Sequence, residues 1–134
     1  MTLMVIKTLE RVSKNYYYII RGEVSYFMST RNSPYKLDML VLSTLSKHDC
    51  YGYQLTQIFD KCSNGIIKPK VSSLYPILYR LIDQGYISSY EEIIKNNRRR
   101  VYYHLEPKGF ELLQQLIDDY QKYTASIQSI LNYK

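Results

Sequence analysis

Hydrophobic residues recur at helical spacing in four stretches of the chain and at a spacing near two in one. Leu37, Leu40, Val41 and Leu45 form an apolar stripe of about three turns after Ser33-Pro34, a helix-start signal, and His48-Asp49-Cys50-Tyr51-Gly52 breaks it. A second helix is predicted from about Gly52 to Cys62, with Leu55, Ile58 and Phe59 inward, and Asn64-Gly65 marks a turn. In the third stretch, Val71 to Gly85, the apolar residues are Leu74, Ile77, Leu78, Leu81 and Ile82, the i, i+3, i+4, i+7, i+8 spacing of one helix face. The same period sends Ser72, Ser73, Tyr75, Tyr79 and Arg80 to the opposite side. Ser72 and Ser73 are expected to cap this helix and Gly85 to end it; Pro76 is placed in the first turn, where its missing N–H is harmless.

After Gly85 the period shortens. Tyr86, Ile87, Tyr90 and Ile93-Ile94 alternate with Ser and Glu, Lys95-Asn96-Asn97-Arg98 reads as a turn, and Val101 to Leu105 as a returning strand. Three helices and a hairpin are the layout of a winged helix-turn-helix, assigned to residues 34–105: mainly α with a small β-hairpin. Glu106-Pro107-Lys108 then opens a last helix, residues 106–134, in which Leu113, Ile117, Tyr120, Thr124, Ile127 and Leu131 make a heptad seam widened by Leu116, Tyr123 and Ile130. About 25 residues extend roughly 38 Å at 1.5 Å per residue, more than the preceding domain covers. The outer stripe therefore predicts a second copy of the chain as its partner, with folding back on residues 1–33 as the alternative.

Residues 1–33 contain no motif. Thr2 to Val12 fits a short helix or strand, and Tyr16 to Phe27 is apolar and aromatic with weak alternation. They can be an extra element, a basic arm (Lys7, Arg11, Lys14, Arg21) or translated leader. Leader is the expectation. Met28 precedes a polar run and the first clear helix, and Arg21-Gly22-Glu23 can be encoded by a purine-rich, ribosome-recruiting stretch.

Composition narrows the class. A chain of 134 residues, 46% hydrophobic and 22% charged, is an ordinary single domain. Net charge is +6, and its location matters more: eight Lys or Arg against four acids from Asp60 to His104, then three against four. A polyanionic partner is favoured. Cys50 and Cys62 lack neighbours at metal spacing and are expected to be reduced thiols of a cytosolic protein. No apolar run approaches the roughly 20 residues of a membrane span. His48 and His104 are the only histidines, without triad order, carboxylate pair, metal spacing or glycine-rich loop, so neither catalysis nor a cofactor is expected.

Tyr51-Gly52-Tyr53-Gln54-Leu55, Ser73 to Leu81, Gly85-Tyr86-Ile87, and Arg100 to Leu105 with Gly109 together resemble the PadR-like family of transcriptional regulators, from about Tyr35 to the C-terminus. The resemblance, closest to the subgroup with a single short C-terminal helix, implies a homodimeric bacterial winged-helix repressor released by a small molecule or another signal. Such regulators often control drug efflux, stress or phenolic-acid detoxification genes. Three positions depart from the family pattern. Asn97-Arg98 stand where Gly-Gly is usual, so Asn must take any left-handed conformation. Glu106-Pro107 replaces a Thr cap. Tyr120 occupies the place of a tryptophan on which some members stack a flat drug, which favours smaller phenolic ligands or none.

In the motif's usual docking the third helix enters the major groove of double-stranded DNA, so Ser72, Ser73, Tyr75, Tyr79 and Arg80 are the expected reading residues. Lys68, Lys70, Arg98, Arg99 and Arg100 are expected at phosphates or a minor groove, with Arg98 and Arg100 on one side of the strand and Arg99 on the other. A two-fold dimer implies an inverted-repeat operator. A small aromatic effector is expected between the last helices, against Tyr120 and Tyr123. The rival class is a winged helix used for protein–protein interaction without DNA, which needs neither the basic wing nor the polar helix face.

Overall fold

A computed structural model describes residues 9–12, 15–20, 23–27 and 37–134. Two compact units divide at Lys36. The first holds strands β1 (Leu9–Val12), β2 (Asn15–Ile20) and β3 (Glu23–Phe27), an antiparallel meander in that order. Tyr18 pairs with Leu9 on one side and Ser25 on the other. The predicted start of the first helix at Ser33-Pro34 lies outside the described residues.

The second unit carries α1 (Leu37–Leu45), β4 (Cys50–Tyr51), α2 (Gly52–Cys62), α3 (Val71–Asp83), β5 (Ile87–Ile94), β6 (Arg98–Leu105) and α4 (Pro107–Leu131). Its sheet is antiparallel in the order β4-β6-β5. Val41, Leu42, Leu55, Leu74, Leu78 and Leu81 are fully buried, with Ile87 and Tyr103 from the hairpin and Leu113 from α4 closing the core. The fold is a winged helix-turn-helix with a long C-terminal helix, as the periodicity predicted.

Several local features differ from the sequence reading. The N-cap of α3 is Lys70 rather than a serine, so Ser72 and Ser73 lie in its first turn, and neither side chain caps it. Pro76 therefore falls past the first turn, and the N–H that would bond the Ser72 carbonyl is missing. Gly85 does end the helix, at φ +76°, with Gly85 N–H donating to Ile82 O and Tyr86 N–H to Leu81 O. In the wing, Asn96 (φ 67°) and Asn97 (φ 56°) turn the chain, so the arginine run belongs to β6 rather than to the turn.

Helix α4 is seated on the end of α3. Glu106 N–H donates to the Tyr86 carbonyl at 3.0 Å, and the Lys108 ammonium donates to Gln84 O at 2.9 Å while lying 4.9 Å from the Tyr86 ring centroid. Gly109 is buried here because a Cβ would overlap the Tyr86 carbonyl oxygen. Two rungs of the predicted seam are used by this packing. Leu113 is 3% exposed in the chain's own core and Ile117 is half-buried against it. The seam available to another molecule starts later, at Tyr120.

Candidate nucleic-acid interface

Helix α3 turns its leucines into the core and leaves Ser72, Ser73, Tyr75 and Tyr79 exposed. Tyr75 and Tyr79, one turn apart, stack with ring centroids at 6.1 Å and planes 18° apart. Gly52, at the start of α2, lies against Tyr75: its missing Cβ would be 3.5 Å from Cε1. Behind them, burial first and then the nearby phenols of Tyr79 and Tyr75 push the Tyr103 hydroxyl pKa up. Phenols and alcohols without charge suit base edges and phosphate oxygens alike.

Arg80 is placed differently from expectation. Its Nη2 donates to Asp38 Oδ2 at 2.6 Å, and the two side chains are 15% and 11% exposed. The guanidinium points back to α1, because a long side chain late in α3 reaches the carboxylate in the first turn of α1. It is removed from the exposed front.

Lys70 is exposed at the N-cap of α3, and Lys68, 70% exposed at its side chain, lies 3.4 Å from Asp60. In the wing the register pairs Glu91 with Val101, Glu92 with Arg100, Ile93 with Arg99 and Ile94 with Arg98. Alternation puts Arg99 on the side of Tyr103, toward α3, and Arg98 and Arg100 on the other side. Arg99 lies 3.5 Å from Glu91 with both groups well exposed. Arg98 is exposed and has no ion-pair partner among the described residues. Arg100 is half-buried with its guanidinium 4.1 Å over the Tyr51 ring, which was not expected of a phosphate contact.

Two exposed residues were missed. Tyr53 is 59% exposed near the start of α2, and Ile93 is 74% exposed opposite Arg99 on the wing. Tyr53 was legible within the Tyr-Gly-Tyr motif; Ile93 was absorbed into an apolar pair and gave no signal of its own.

On the far face of the sheet, Asp49 accepts a hydrogen bond from the Tyr90 hydroxyl at 2.7 Å and pairs with His104 Nδ1 at 2.8 Å. Partial burial favours the neutral Asp49 carboxyl, but the bonds from Tyr90 and His104 and the nearness of His104 and His48 outweigh it and hold its pKa low. The bond to Asp49, ahead of desolvation, pushes Tyr90 up to about 12. Among the described residues no group of three or more His, Cys, Asp or Glu is placed to hold a metal ion. No described helix is long and apolar enough to cross a membrane.

Residues 41–115 match the model of the transcriptional regulator PadR-like family. The chain belongs to the PadR-like family. A protein of known structure from Streptococcus mutans UA159 is 37% identical, covering 74% of this chain and 89% of its own, with a TM-score of 0.62. A transcriptional regulator from Clostridium thermocellum is 28% identical over 69% of this chain and 90% of that one, with a TM-score of 0.65. Bacillus subtilis PadR, solved in complex with operator DNA, is 27% identical over 60% of this chain and 47% of that chain, with a TM-score of 0.57. The match to the PadR-like model spans all of α2, α3 and the hairpin and ends within α4.

Proposed function

We propose that this chain is a homodimeric DNA-binding repressor that recognises an inverted-repeat operator and is released by a small aromatic effector. The observation that carries the reading is the exposed front of α3 beside a cationic wing. The side-chain hydroxyls of Ser72, Ser73, Tyr75 and Tyr79 make no hydrogen bond among the described residues, while Arg98 and Arg99 stand exposed at the adjacent hairpin. Operator binding by Bacillus subtilis PadR, which shares the fold, supports it. In this role α3 enters the major groove, Lys68, Lys70, Arg98 and Arg99 neutralise phosphates, and discrimination is shared with half-site spacing and DNA shape.

Dimerisation is supported by the apolar residues left open on α4: Tyr120 41%, Tyr123 68%, Ile127 43%, Ile130 73% and Leu131 72% exposed. With Thr124 they form a stripe that a second copy of the same helix would cover. A ligand between two such helices, against Tyr120 and Tyr123, would favour one spacing of the heads over another, and differential affinity for the two spacings is all that release requires.

The test is a gel shift with the DNA upstream of the protein's own gene, followed by footprinting. Retardation at low protein concentration and two protected half-sites are expected. Equal retardation of unrelated DNA, with no protected site, would overturn the regulator reading.

A further inference from the structure

Arg98, Arg99 and Arg100 are consecutive and carry the same charge, yet the hairpin gives them three environments. The first is exposed and the second loosely paired to Glu91. Arg100 is half-buried, with its guanidinium 4.1 Å from the centroid of the Tyr51 ring. Tyr51 belongs to β4 and is also the N-cap of α2. The contact therefore joins the wing to the helix-turn-helix rather than one part of the wing to another.

Its position along the strand matters. Tyr51 and Tyr102 are the last pair between β4 and β6. From Val101 to the tip, β6 has only β5 beside it, and a two-stranded ribbon holds its own direction poorly in water. Arg100 is the first residue beyond that border whose side chain falls on the Tyr51 side. A belt of rings continues from the same point. Tyr51 meets the Tyr102 ring edge-on at 5.7 Å, Tyr102 stacks on Tyr90 at 5.6 Å, and the Tyr90 hydroxyl donates to Asp49. The belt begins and ends on residues 49–51 and passes across both wing strands.

We propose that Arg100 is a positioning residue: stacked on Tyr51, it fixes the direction in which the wing leaves the sheet and so presents Arg98 and Arg99 to the phosphates. This rests on the DNA-binding reading. A guanidinium plane on a phenol face is an attractive contact with defined geometry, which a compact ammonium reproduces poorly. Arg100 thus acts through Tyr51, whereas Arg98 and Arg99 act through the DNA.

The experiment measures binding to a random-sequence DNA duplex at low salt for wild type, Tyr51→Phe, Tyr51→Leu, Arg100→Ala, Arg100→Lys and the Tyr51→Leu/Arg100→Ala double variant. Amide hydrogen exchange in the hairpin is followed without DNA. Tyr51→Leu and Arg100→Ala should each weaken binding by about fivefold, the scale of one exposed cation–π contact. The double variant should be no weaker than either single one, since both remove the same clamp. Tyr51→Phe keeps the ring and should bind like wild type, and Arg100→Lys keeps the charge but not the guanidinium plane and should bind nearly as weakly as Arg100→Ala. Hairpin amides should exchange faster in Tyr51→Leu and Arg100→Ala. Additive losses in the double variant, or Arg100→Lys binding as tightly as wild type, would make Arg100 a direct phosphate contact and overturn the proposal. Failure of wild type to bind any duplex would instead overturn the DNA reading, and the exchange rates alone would then decide whether the clamp exists.

Discussion

Arg80 and Asp38 form an ion pair of 2.6 Å with both side chains largely withdrawn from water. It ties the third turn of α3 to the first turn of α1. Truncating Arg80 strands the Asp38 carboxylate away from solvent, so Arg80→Ala should cost about 3 kcal/mol, and Asp38→Ala should destabilise as well. The double variant should cost clearly less than the two together. Urea unfolding of the four proteins measures this, and unchanged midpoints in the single variants would show that the pair is not what holds α3 on α1.

The division of labour along α4 can be separated by two substitutions. Leu113→Ala removes a side chain from the core and should lower stability by about 2 to 4 kcal/mol. Ile130→Glu changes a residue that is 73% exposed and should leave the protomer folded while shifting the assembly toward monomer. Sedimentation across a concentration series reads the second effect. A wild-type protein that stays monomeric at high concentration would remove the dimer from the proposal.

At the reading face, Tyr75→Ala should reduce discrimination between operator and random DNA. Arg98→Ala should weaken binding to all sequences alike and make the log–log salt dependence shallower by about 1. A salt titration on both DNAs separates the two patterns. If both variants followed wild type, the docking of α3 and the wing would be wrong.

Burial, with a smaller contribution from Asp49, pushes the Cys50 thiol from 9.0 up to about 11. The folded protein keeps a proton that the unfolded chain releases in that range. This contribution to stability is full below about pH 9 and is lost as pH rises through about 11. Tyr90, raised from 10.0 to about 12, extends the loss upward. Urea midpoints should fall from about pH 9 onward, and Cys50→Ala should flatten the lower part of the fall. At about pH 8 an alkylating reagent should label exposed Cys62 in the native protein and Cys50 only after unfolding.

Asn96 and Asn97 both hold positive φ at the wing tip. Asn96→Ala should cost about 1 kcal/mol through the left-handed backbone, read as a lower melting temperature. An unchanged melting temperature would mean that the tip can adopt another turn.

The core-forming periodicities were legible because each helix buries one face: the bounds of α2 follow from its motif, and Leu74 to Leu81 lie where a period of 3.6 puts them. Strand β4 was not legible. Two residues carry no pattern, and Cys50-Tyr51 becomes a strand only because Tyr102 and Tyr103 pair with it. The cap of α3 was not legible either: the serines lie inside the first turn, and Lys70 opens the helix without any side-chain bond. Arg80 and Arg100 mark the deeper limit. Spacing gives the side of an element from which a side chain leaves, but a long, flexible one then follows whichever partner the tertiary fold supplies, here Asp38 and Tyr51. Leu113 fails for a related reason: a heptad stripe does not say which of its rungs the parent domain will occupy.

Gly109 leaves no slack between the carbonyl that follows the reading helix and the first turn of the last one. A tilt of the last helix would bear on α3 through that contact, as two arms sharing a single pivot. Whatever grips the free end of the longer arm gains leverage over the angle at which the shorter one meets its target.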